Sequence, residues 1–413
     1  MAVKAKVLIY EPSLSGHRAN FVSVHAEELL KLGADVWLAV PENALEQPEG
    51  NAFLSKVLPR TRHLPLSPFR DGLSVLAQAN AKLSLLRESV SKCKPDHCFV
   101  PYADGVSQAW GMKAKPRSFL PQEMPIEGLV MRETYAYPRL GWKKSLAAKG
   151  SLHFQCRAPW TRLHHLDPLA FDVINRKKTN AEHFLIPDII QRHEPADRND
   201  AIERLGLDPG QCVVTCPGAV NYSKGSHSLI DAVTGMDESI GVQLVLIGKH
   251  SEKIKAKLKR LGQDSRIVSI DRFASVEEFD LLFSAADVIA VCYPKHFGSA
   301  SVLLRAAAAG RKIIASDYGW IGWATDTFRL GETCDATSPD AIRKLIKGVA
   351  LSKNKDNSGA SSQGIRLLLD YHSRANHLAH WTSLYRQKQG LPQSESIVFD
   401  EVLRKANSGG DAG

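Results

Sequence analysis

The chain has 413 residues, 44% of them hydrophobic, which is more than one compact core usually holds, so two domains are expected. No apolar run approaches the roughly 20 residues that a membrane-spanning helix needs. The formal net charge of +9 suits a partner that carries phosphate or an anionic lipid surface, whereas the lack of interleaved basic and aromatic residues argues against nucleic acid.

The amino-terminal half opens with the pattern of a Rossmann-like unit. Strands are predicted over residues 6–10 and 35–40, with a helix between them that ends near residue 32. The loop before that helix, E-P-S-L-S-G-H-R, contains a single glycine, Gly16, and so lacks the dinucleotide-binding fingerprint.

A second polar loop follows the strand predicted over residues 97–101. Ligands of parallel α/β sheets bind beyond the carboxyl ends of the strands, which makes Asp104 a candidate functional residue. The alternative is that Asp104 only forms an Asx-turn or caps a helix. Residues 122–141 are predicted to be rich in loops, and the adjacent His164 and His165 have no third ligand at zinc spacing.

Strands and helices alternate again in the carboxyl-terminal half, which predicts a second parallel sheet. The predicted strands are short apolar runs at residues 212–216, 242–248, 267–270, 287–292 and 312–316.

The stretch from residue 285 to 323 is the most informative part of this half. A buried strand leads to a loop containing Pro294 and Gly298, and a helix then runs from about residue 302 to 309. The backbone N–H groups of Gly298, Ser299, Ala300 and Ser301 are predicted to point outward from the start of that helix. Such an arrangement favours an anion, typically phosphate.

The order of these elements resembles the nucleotide-sugar-binding half of GT-B glycosyltransferases, in particular the retaining family 4. The segments Arg305-Ala306-Ala307-Ala308-Ala309-Gly310 and Ala315-Ser316-Asp317 stand where that family has its Glu-Ala-x-Ala-x-Gly helix and Ala-Ser-Asp turn. The loop of residues 217–225 is similar to the family's Gly-Arg…Lys-Gly loop. Gly218, Lys224 and Gly225 match it, and Ala219 replaces the arginine.

The resemblance implies an α/β fold of two facing Rossmann-like domains with an interdomain cleft. We expect an acceptor-side domain over residues 1–190 and a nucleotide-sugar-binding domain over residues 191–356. A last helix, over residues 365–390, is expected to pack back on the first domain, anchored by Trp381.

The resemblance also implies roles for individual residues. Lys224 would neutralise the donor diphosphate, and a cation at a helix start is itself disfavoured unless an anion is near. Arg272 and Phe273 would contact the base, although Phe273 is equally consistent with a core position. His296, Asp104 and His17 are the candidate catalytic residues. The alternative for His17 is a solvent-exposed place at a helix start.

The chain departs from the family at its two glutamates, which lie eight positions apart. Arg305 stands in the place of the second, and Lys295, His296 or Phe297 lies near the first. Arginine only donates hydrogen bonds, so contact with the nucleotide ribose must be altered there. The alternative is that Arg305 is simply a surface residue.

We therefore expect a metal-independent, cytoplasmic glycosyltransferase that moves a hexose from a nucleotide-sugar to a glycan, a glycolipid or a lipid-linked acceptor. Its scattered cysteines fit reduced thiols, and peripheral association with an anionic inner membrane face is a further expectation. The main alternative is a catalytically silent module that binds a sugar nucleotide or a glycan. A sugar-nucleotide epimerase of GT-B architecture is a third.

Overall fold

The chain is organised around two parallel β-sheets, each in its own compact unit. A computed structural model describes residues 4–15, 18–67, 73–137, 141–190, 196–352 and 362–408. One unit comprises Met1–Ile186 with His377–Ser396, and the other comprises Pro187–Asn376 with Ile397–Gly413. Both are Rossmann-like α/β units, as the sequence predicts.

Every strand of both sheets runs parallel to its neighbours. The first sheet has seven strands in the order β3-β2-β1-β4-β5-β6-β7, and the second has six in the order β10-β9-β8-β11-β12-β13. The strands are β1 Lys6–Tyr10, β2 Asp35–Pro41, β3 Arg62–Leu66, β4 His97–Val100, β5 Ile126–Val130, β6 Arg162–His165, β7 Glu182–Leu185, β8 Cys212–Thr215, β9 Val242–Ile247, β10 Ile267–Ile270, β11 Val288–Val291, β12 Lys312–Ser316 and β13 Glu332–Cys334.

Helices connect the strands in both units. They are α1 Arg18–Lys31, α2 Pro48–Leu54, α3 Val75–Cys93, α4 Val106–Gly111, α5 Trp142–Arg157, α6 Pro168–Asn175, α7 Arg198–Arg204, α8 Ser226–Thr234, α9 Glu252–Leu261, α10 Val276–Ala285, α11 Ser301–Ala308, α12 Gly319–Thr327, α13 Pro339–Leu351, α14 Ser362–Tyr371, α15 Arg374–Trp381, α16 Ser383–Lys388 and α17 Phe399–Ser408. Among these described helices, none is both long enough and apolar enough to cross a bilayer.

The central strands are buried on both faces. All residues of β4, β5, β9 and β11 are buried. Helices cover both faces of a parallel sheet, which explains why β11, V-I-A-V, is a continuous apolar run. The strands β4, β5 and β9 each include one polar residue, namely His97, Glu127 and Gln243. In each sheet the chain order reverses at one position, between β1 and β4 in the first and between β8 and β11 in the second. Ligands of open α/β sheets bind at the carboxyl edge of such positions.

The strand β5 corrects the expectation that residues 122–141 are mainly loop. Its sequence, I-E-G-L-V, has a carboxylate and a glycine in the middle, which hides the strand pattern. Gly128 is required there, because a Cβ atom would lie 2.8 Å from the Trp160 ring and 2.9 Å from the Ala103 Cβ. Glu127 is tolerated because His97 Nε2 and His164 Nε2 lie 2.7 and 2.9 Å from its two oxygens.

The carboxyl-terminal segment of the first unit packs through aromatic rings. Trp381, which is fully buried, stacks on His25 with ring centroids 4.1 Å apart and on Phe99 at 5.0 Å. The Nε2 atoms of His25 and His377 are 2.8 Å apart, so one of the two rings donates a hydrogen bond to the other. These contacts join α15 to α1 and β4 within the first unit.

The single long helix expected over residues 365–390 is three helices, α14, α15 and α16, and only residues from His377 onward belong to the first unit. Local side-chain hydrogen bonds cause the break between α14 and α15. Ser373 Oγ accepts from the Asn376 backbone N–H at 3.3 Å, and the Asn376 side chain donates to the Tyr371 carbonyl at 2.8 Å. Serine and asparagine compete with the helical backbone in this way.

In the second unit, His372 lies between α14 and α15 and fixes the segment that follows Ile186. Its Nδ1 accepts the Asp188 backbone N–H at 2.9 Å. Burial lowers the pKa of His372 to about 3, although the bond from Asp188 acts in the opposite direction. The neutral ring is therefore the form that the folded unit holds.

We expect His372→Asn to flatten the pH dependence of stability, because the Asn oxygen can accept the same N–H and does not titrate. A folded pKa below the ordinary 6.5 means that the unfolded chain binds the proton more readily, so stability present above pH 6.5 is lost as the pH falls. Urea titrations between roughly pH 6 and pH 4 should show a slope smaller by about 1.4 kcal/mol per pH unit in the variant. The exposed His153→Asn is the control, and equal slopes in both variants would contradict this account.

Candidate functional site

Two loops meet at the carboxyl edge of the second sheet, where the strand order reverses. The first loop, residues 216–225, follows β8, and the second, residues 292–300, follows β11. These two strands are hydrogen-bonded neighbours, with Val288 opposite Val214. The loops that the sequence singles out therefore lie side by side.

Gly225 brings the two loops into direct contact. A Cβ atom on Gly225 would lie 1.8 Å from the Cys292 carbonyl oxygen, a separation that no side chain permits. Gly225 also has a φ of +72°, in the left-handed region. Glycine is thus required for two reasons, and the result is a close approach of the two backbones.

Lys224 extends from the first loop over a ring of the second. Its Nζ lies 4.0 Å from the centroid of the Tyr293 ring, a cation–π contact. The Lys224 backbone N–H is held by Asn221 Oδ1 at 3.0 Å. The backbone around the cation is therefore fixed, and the ammonium group lies where the two loops meet.

Tyr293 is fully buried beneath this contact. Its hydroxyl oxygen has no hydrogen-bond partner among the residues that the structure describes. Burial raises the pKa of Tyr293 well above its ordinary value, so the ring stays neutral. Tyr293 is not among the site residues predicted from the sequence, and its position two residues after a buried strand is the signal that could have found it.

The second loop is closed by its own side chains. His296 Nε2 lies 3.0 Å from the Ser299 carbonyl oxygen, and the His296 ring is 5.5 Å from that of Tyr293. Gly298 has a φ of +84°, and Ser301 begins α11. Ala300, at the N-cap of α11, has no side-chain oxygen with which to cap the helix. The second loop, which lies beside the first loop, thus leads to the amino terminus of α11 and its partial positive charge.

Asp188 supports the second loop from outside it. Ser299 Oγ donates to Asp188 Oδ2 at 2.8 Å, and the other carboxylate oxygen accepts the Ile189 N–H at 2.8 Å. Because His372 holds the Asp188 backbone, Ser299 is held in place by two residues that lie far from it in the sequence, Asp188 and His372. The local sequence around Asp188 does not indicate this role, because its partners lie 111 and 184 positions away.

The loops after β9 and β10 continue the same edge. A Cβ atom on Gly248 would lie 2.0 Å from the Gly218 carbonyl oxygen, so the loop after β9 packs on the first loop. After β10, Arg272 forms an ion pair with Glu278 through both guanidinium Nη atoms. Phe273 is 65% exposed, which excludes the core position considered for it. Its role in base contact stays a prediction.

Arg305 is not a surface residue. It forms an ion pair with Asp280 and lies over the rings of Phe279 and Phe283, at 4.6 and 5.1 Å from their centroids. Its side chain is 18% exposed, which corrects the surface alternative. Phe279 also lies 4.0 Å from a Cβ atom on Gly218, so this packing supports the first loop.

The first unit carries a polar cluster at its own reversal of strand order. The Arg18 guanidinium lies 3.6 Å from the Tyr102 ring centroid and 3.8 Å from Glu11 Oε1. Glu11 is 1% exposed, and burial raises its pKa to about 7 against the opposing effect of Arg18. Sequence analysis missed Glu11, although it directly follows β1. His17, which precedes Arg18, lies outside the described residues, as does Gly16.

Asp104 bridges two loops of the first unit. Its two oxygens accept the backbone N–H groups of Met131 and Arg132 at 2.9 and 2.8 Å. Burial raises its pKa to about 6, and the two hydrogen bonds oppose that shift. These bonds replace the Asx-turn or helix cap considered from the sequence. A catalytic role for Asp104 stays a prediction.

Within the described ranges, no three His, Cys, Asp or Glu side chains are grouped so as to hold a metal ion. The cations and dipoles in the loops of the second unit's edge include Lys224, Lys249, Lys295, the paired Arg272 and the start of α11. They are the groups available there to meet a negatively charged ligand. The expectation of metal independence stays a prediction.

Residues 211–348, within the second unit, match the family model described as glycosyl transferases group 1. D-inositol 3-phosphate glycosyltransferase from Rhodococcus erythropolis is 30% identical over 155 residues, which are 35% of this chain and 34% of that protein. The same enzyme from Segniliparus rotundus is 30% identical over 154 residues. The chain thus spans about a third of the length of the curated relatives that it matches.

Solved structures are similar over nearly the whole chain. Sucrose-phosphate synthase from Thermosynechococcus elongatus has a TM-score of 0.73 at 14% identity, covering 94% of this chain and all of that one. Anabaena Alr3699/HepE in complex with UDP and glucose has a TM-score of 0.69 at 13% identity, covering 93% and 100%. At these identities the likeness concerns the fold, and it confirms the predicted GT-B class.

We expect Gly225→Ala to destabilise the second unit more than Gly241→Ala. Both glycines have positive φ, +72° and +67°, but nothing lies within 4 Å of a Cβ atom on Gly241. The left-handed backbone alone should cost about 1–2 kcal/mol in either variant. The clash with Cys292 should bring the cost for Gly225→Ala to about 3 kcal/mol or more. Urea titrations measure both values, and equal losses would show that the loops do not touch as described.

We expect Asp104→Asn to lower the free energy of unfolding by about 1–3 kcal/mol, because its NH₂ group would face a backbone N–H that needs an acceptor. Asp172→Asn, at an exposed ion pair with Arg176, is the control and should change stability little. If Asp104→Asn leaves the free energy of unfolding unchanged, the account of Asp104 as a structural bridge is wrong.

Proposed function

We propose that this protein is a glycosyltransferase that moves a hexosyl group from a nucleotide-sugar donor to a glycan, a glycolipid or a related acceptor. The observation that carries the proposal is the meeting of the two loops at the second sheet's reversal of strand order. There Lys224 lies over Tyr293, in the loop that leads to α11, at the edge where open α/β sheets bind ligands. The glycosyl transferases group 1 match covers the same residues.

In this proposal the donor diphosphate lies between Lys224 and the residues from Gly298 to Ser301. Lysine neutralises phosphate as a compact charge, and the helix start adds N–H groups and a favourable dipole. A leaving diphosphate gains negative charge as the sugar departs, so fixed positive groups stabilise the transition state more than the ground state. No metal ion is needed for this arrangement.

Uridine diphosphate is the nucleotide that we propose first, because the Anabaena structure of similar fold is a complex with UDP. Phe273, which is exposed in the loop after β10, is available to stack on the base. The adjacent Arg272, the other residue proposed to contact the base, is already paired with Glu278. His296 stays a proposed catalytic residue, as its ring lies next to Tyr293 in the loop after β11.

The first unit's edge is proposed to bind the acceptor. Glu11, with its raised pKa of about 7, can accept a hydroxyl proton near neutral pH, and Arg18 and Tyr102 lie beside it. Asp104 supports that edge through its backbone contacts. A glycan hydroxyl or a lipid-linked sugar is the proposed acceptor, and peripheral binding to an anionic membrane is a proposed partner interaction.

A catalytically silent module is the second candidate function. The observation that favours it is the ion pair of Arg305 with Asp280, at the position where the family has a glutamate. Incubation with a panel of nucleotide-sugars separates the two functions. Release of the nucleoside diphosphate supports the transferase, whereas nucleotide binding without any release supports the silent module.

We expect Lys224→Ala to weaken the binding of UDP by roughly 10- to 100-fold, since a charge-assisted hydrogen bond contributes about 1.5–3 kcal/mol. Lys224→Arg should restore part of the affinity by restoring the charge. Lys259→Ala, an exposed lysine of α9, is the control and should bind as the parent does. Isothermal titration with UDP measures all four proteins.

Each variant is first checked by thermal unfolding without ligand, because Lys224 also contacts Tyr293. If Lys224→Ala is folded and binds UDP as tightly as the parent, the diphosphate is not held where we propose.

A further inference from the structure

The amino-terminal half of α5 exposes apolar side chains that a monomer in water normally buries. Trp142 is 75% exposed and Leu146, one turn later, is 66% exposed. Because residues four apart lie on one side of a helix, these two side chains form a single apolar strip. Strips of this kind mark a binding surface more often than isolated exposed residues do.

Lysines border this strip, and α5 itself has no acidic residue to balance them. The helix W-K-K-S-L-A-A-K-G-S-L-H-F-Q-C-R contains no Asp or Glu along its whole length. Lys143, Lys144 and Lys149 are all exposed, and Lys143 Nζ lies 5.4 Å from the Trp142 ring centroid. Two of the lysines are in the first turn, where the helix dipole disfavours a cation. Helix stability therefore does not account for them.

The other half of α5 is firmly packed on the first unit. A Cβ atom on Gly111 would lie 1.8 Å from the Phe154 carbonyl oxygen, and Gln108 donates to Ser151 Oγ at 3.0 Å. The buried residues of α5 are Ala148 and Gln155. The exposed strip is thus held on a rigid support.

A second exposed apolar pair lies at the same edge of the first sheet. Val75 and Leu76, the first residues of α3, are 85% and 50% exposed. Helices that connect parallel strands run antiparallel to them, so α3 and α5 both begin at the carboxyl edge. Both also pack on α4, since Gly105 lies against Ala79 and Gln108 bonds Ser151.

We infer that the exposed strip of α5, Trp142 and Leu146 with Lys143, Lys144 and Lys149, docks the protein on an anionic lipid bilayer. Tryptophan and leucine enter the interfacial region of the bilayer, while lysine stems extend their charges to lipid phosphates. Each lysine near an anionic surface contributes about 1 kcal/mol.

The combination of exposed apolar side chains with lysines favours a bilayer over a protein partner, a second copy of the chain or a free phosphate ion. Lysine is depleted from the cores of protein–protein interfaces, so a protein partner or a second copy of the chain fits the three lysines poorly. A free phosphate ion would leave Trp142 and Leu146 without a role. Only an anionic bilayer engages both the apolar strip and its charges.

Co-sedimentation with sucrose-loaded vesicles tests the inference, using phosphatidylcholine with and without phosphatidylglycerol at low and high salt. The parent should bind the phosphatidylglycerol vesicles at least about tenfold more tightly than phosphatidylcholine alone, and salt should reduce that difference. Lys143→Ala/Lys144→Ala/Lys149→Ala should lose on the order of 100-fold in binding, and Trp142→Ser/Leu146→Ser about tenfold or more.

Matched changes on α13 serve as controls, and they should bind as the parent does. Lys344→Ala/Lys347→Ala removes two exposed lysines, and Leu351→Ser removes a leucine that is 58% exposed. Binding that ignores phosphatidylglycerol, or that the α5 lysine variant retains, overturns the inference. So does a Trp142→Ser/Leu146→Ser protein that elutes as a smaller species than the parent, since the strip would then join two copies.

The inference deepens the proposed function by naming a surface for its membrane partner, but it does not require turnover. Vesicle binding is measured without any donor, and UDP binding is measured on the same preparations. Loss of vesicle binding with UDP binding intact refutes the surface alone, and the reverse result refutes the donor site alone.

Discussion

The close approach of two backbones at Gly225 and Cys292 is the constraint on which the second unit's edge depends. It exists because β8 and β11 are adjacent in the sheet although three helices and two strands separate them in the chain. Once the two loops touch, Lys224 of one is placed over Tyr293 of the other. A charge from the first loop is thereby brought to an aromatic ring of the second loop, which leads into α11.

Buried acidic residues stabilise both units, and in each unit a histidine forms a hydrogen bond that fixes the acidic residue in place. In the first unit, burial alone would raise the pKa of Glu127, but bonds from His164 and His97 lower it to about 2. In the second, His372 fixes the backbone of Asp188, which in turn holds Ser299. Each carboxylate is satisfied by partners from other elements, as a buried charge requires.

The pattern of the sequence predicts the alternation of strands and helices, the two parallel sheets and the two loops of the second unit. It does so because β8, β9 and β11 are predominantly apolar and glycine marks the turns. The strand β5 is not predicted by this pattern. Glu127 reads as a surface residue until His97 and His164, thirty or more positions away, are brought beside it. The side-chain partners that decide its burial are visible only in three dimensions.

The same limit applies to the site residues. Arg305 occupies the position at which the family has a glutamate. Its ion-pair partner, Asp280, belongs to the preceding helix, and the sequence spacing of the two residues does not predict their contact. Glu11 directly follows β1 and Tyr293 is the second residue after β11, a signal that the sequence does carry. Their burial, which sets their protonation, follows from the helices packed around them.

The first unit is discontinuous in the chain, and this has a consequence for its biosynthesis. Its core includes Trp381, which lies against His25 and Phe99, yet 188 residues lie between the end of β7 and the start of α15. On the ribosome, the nascent amino-terminal sheet must wait for nearly the whole polypeptide to emerge before that aromatic stack can close. Until then, the ring faces of His25 and Phe99 stay without their partner, and a chaperone that shields them has a defined interval in which to act.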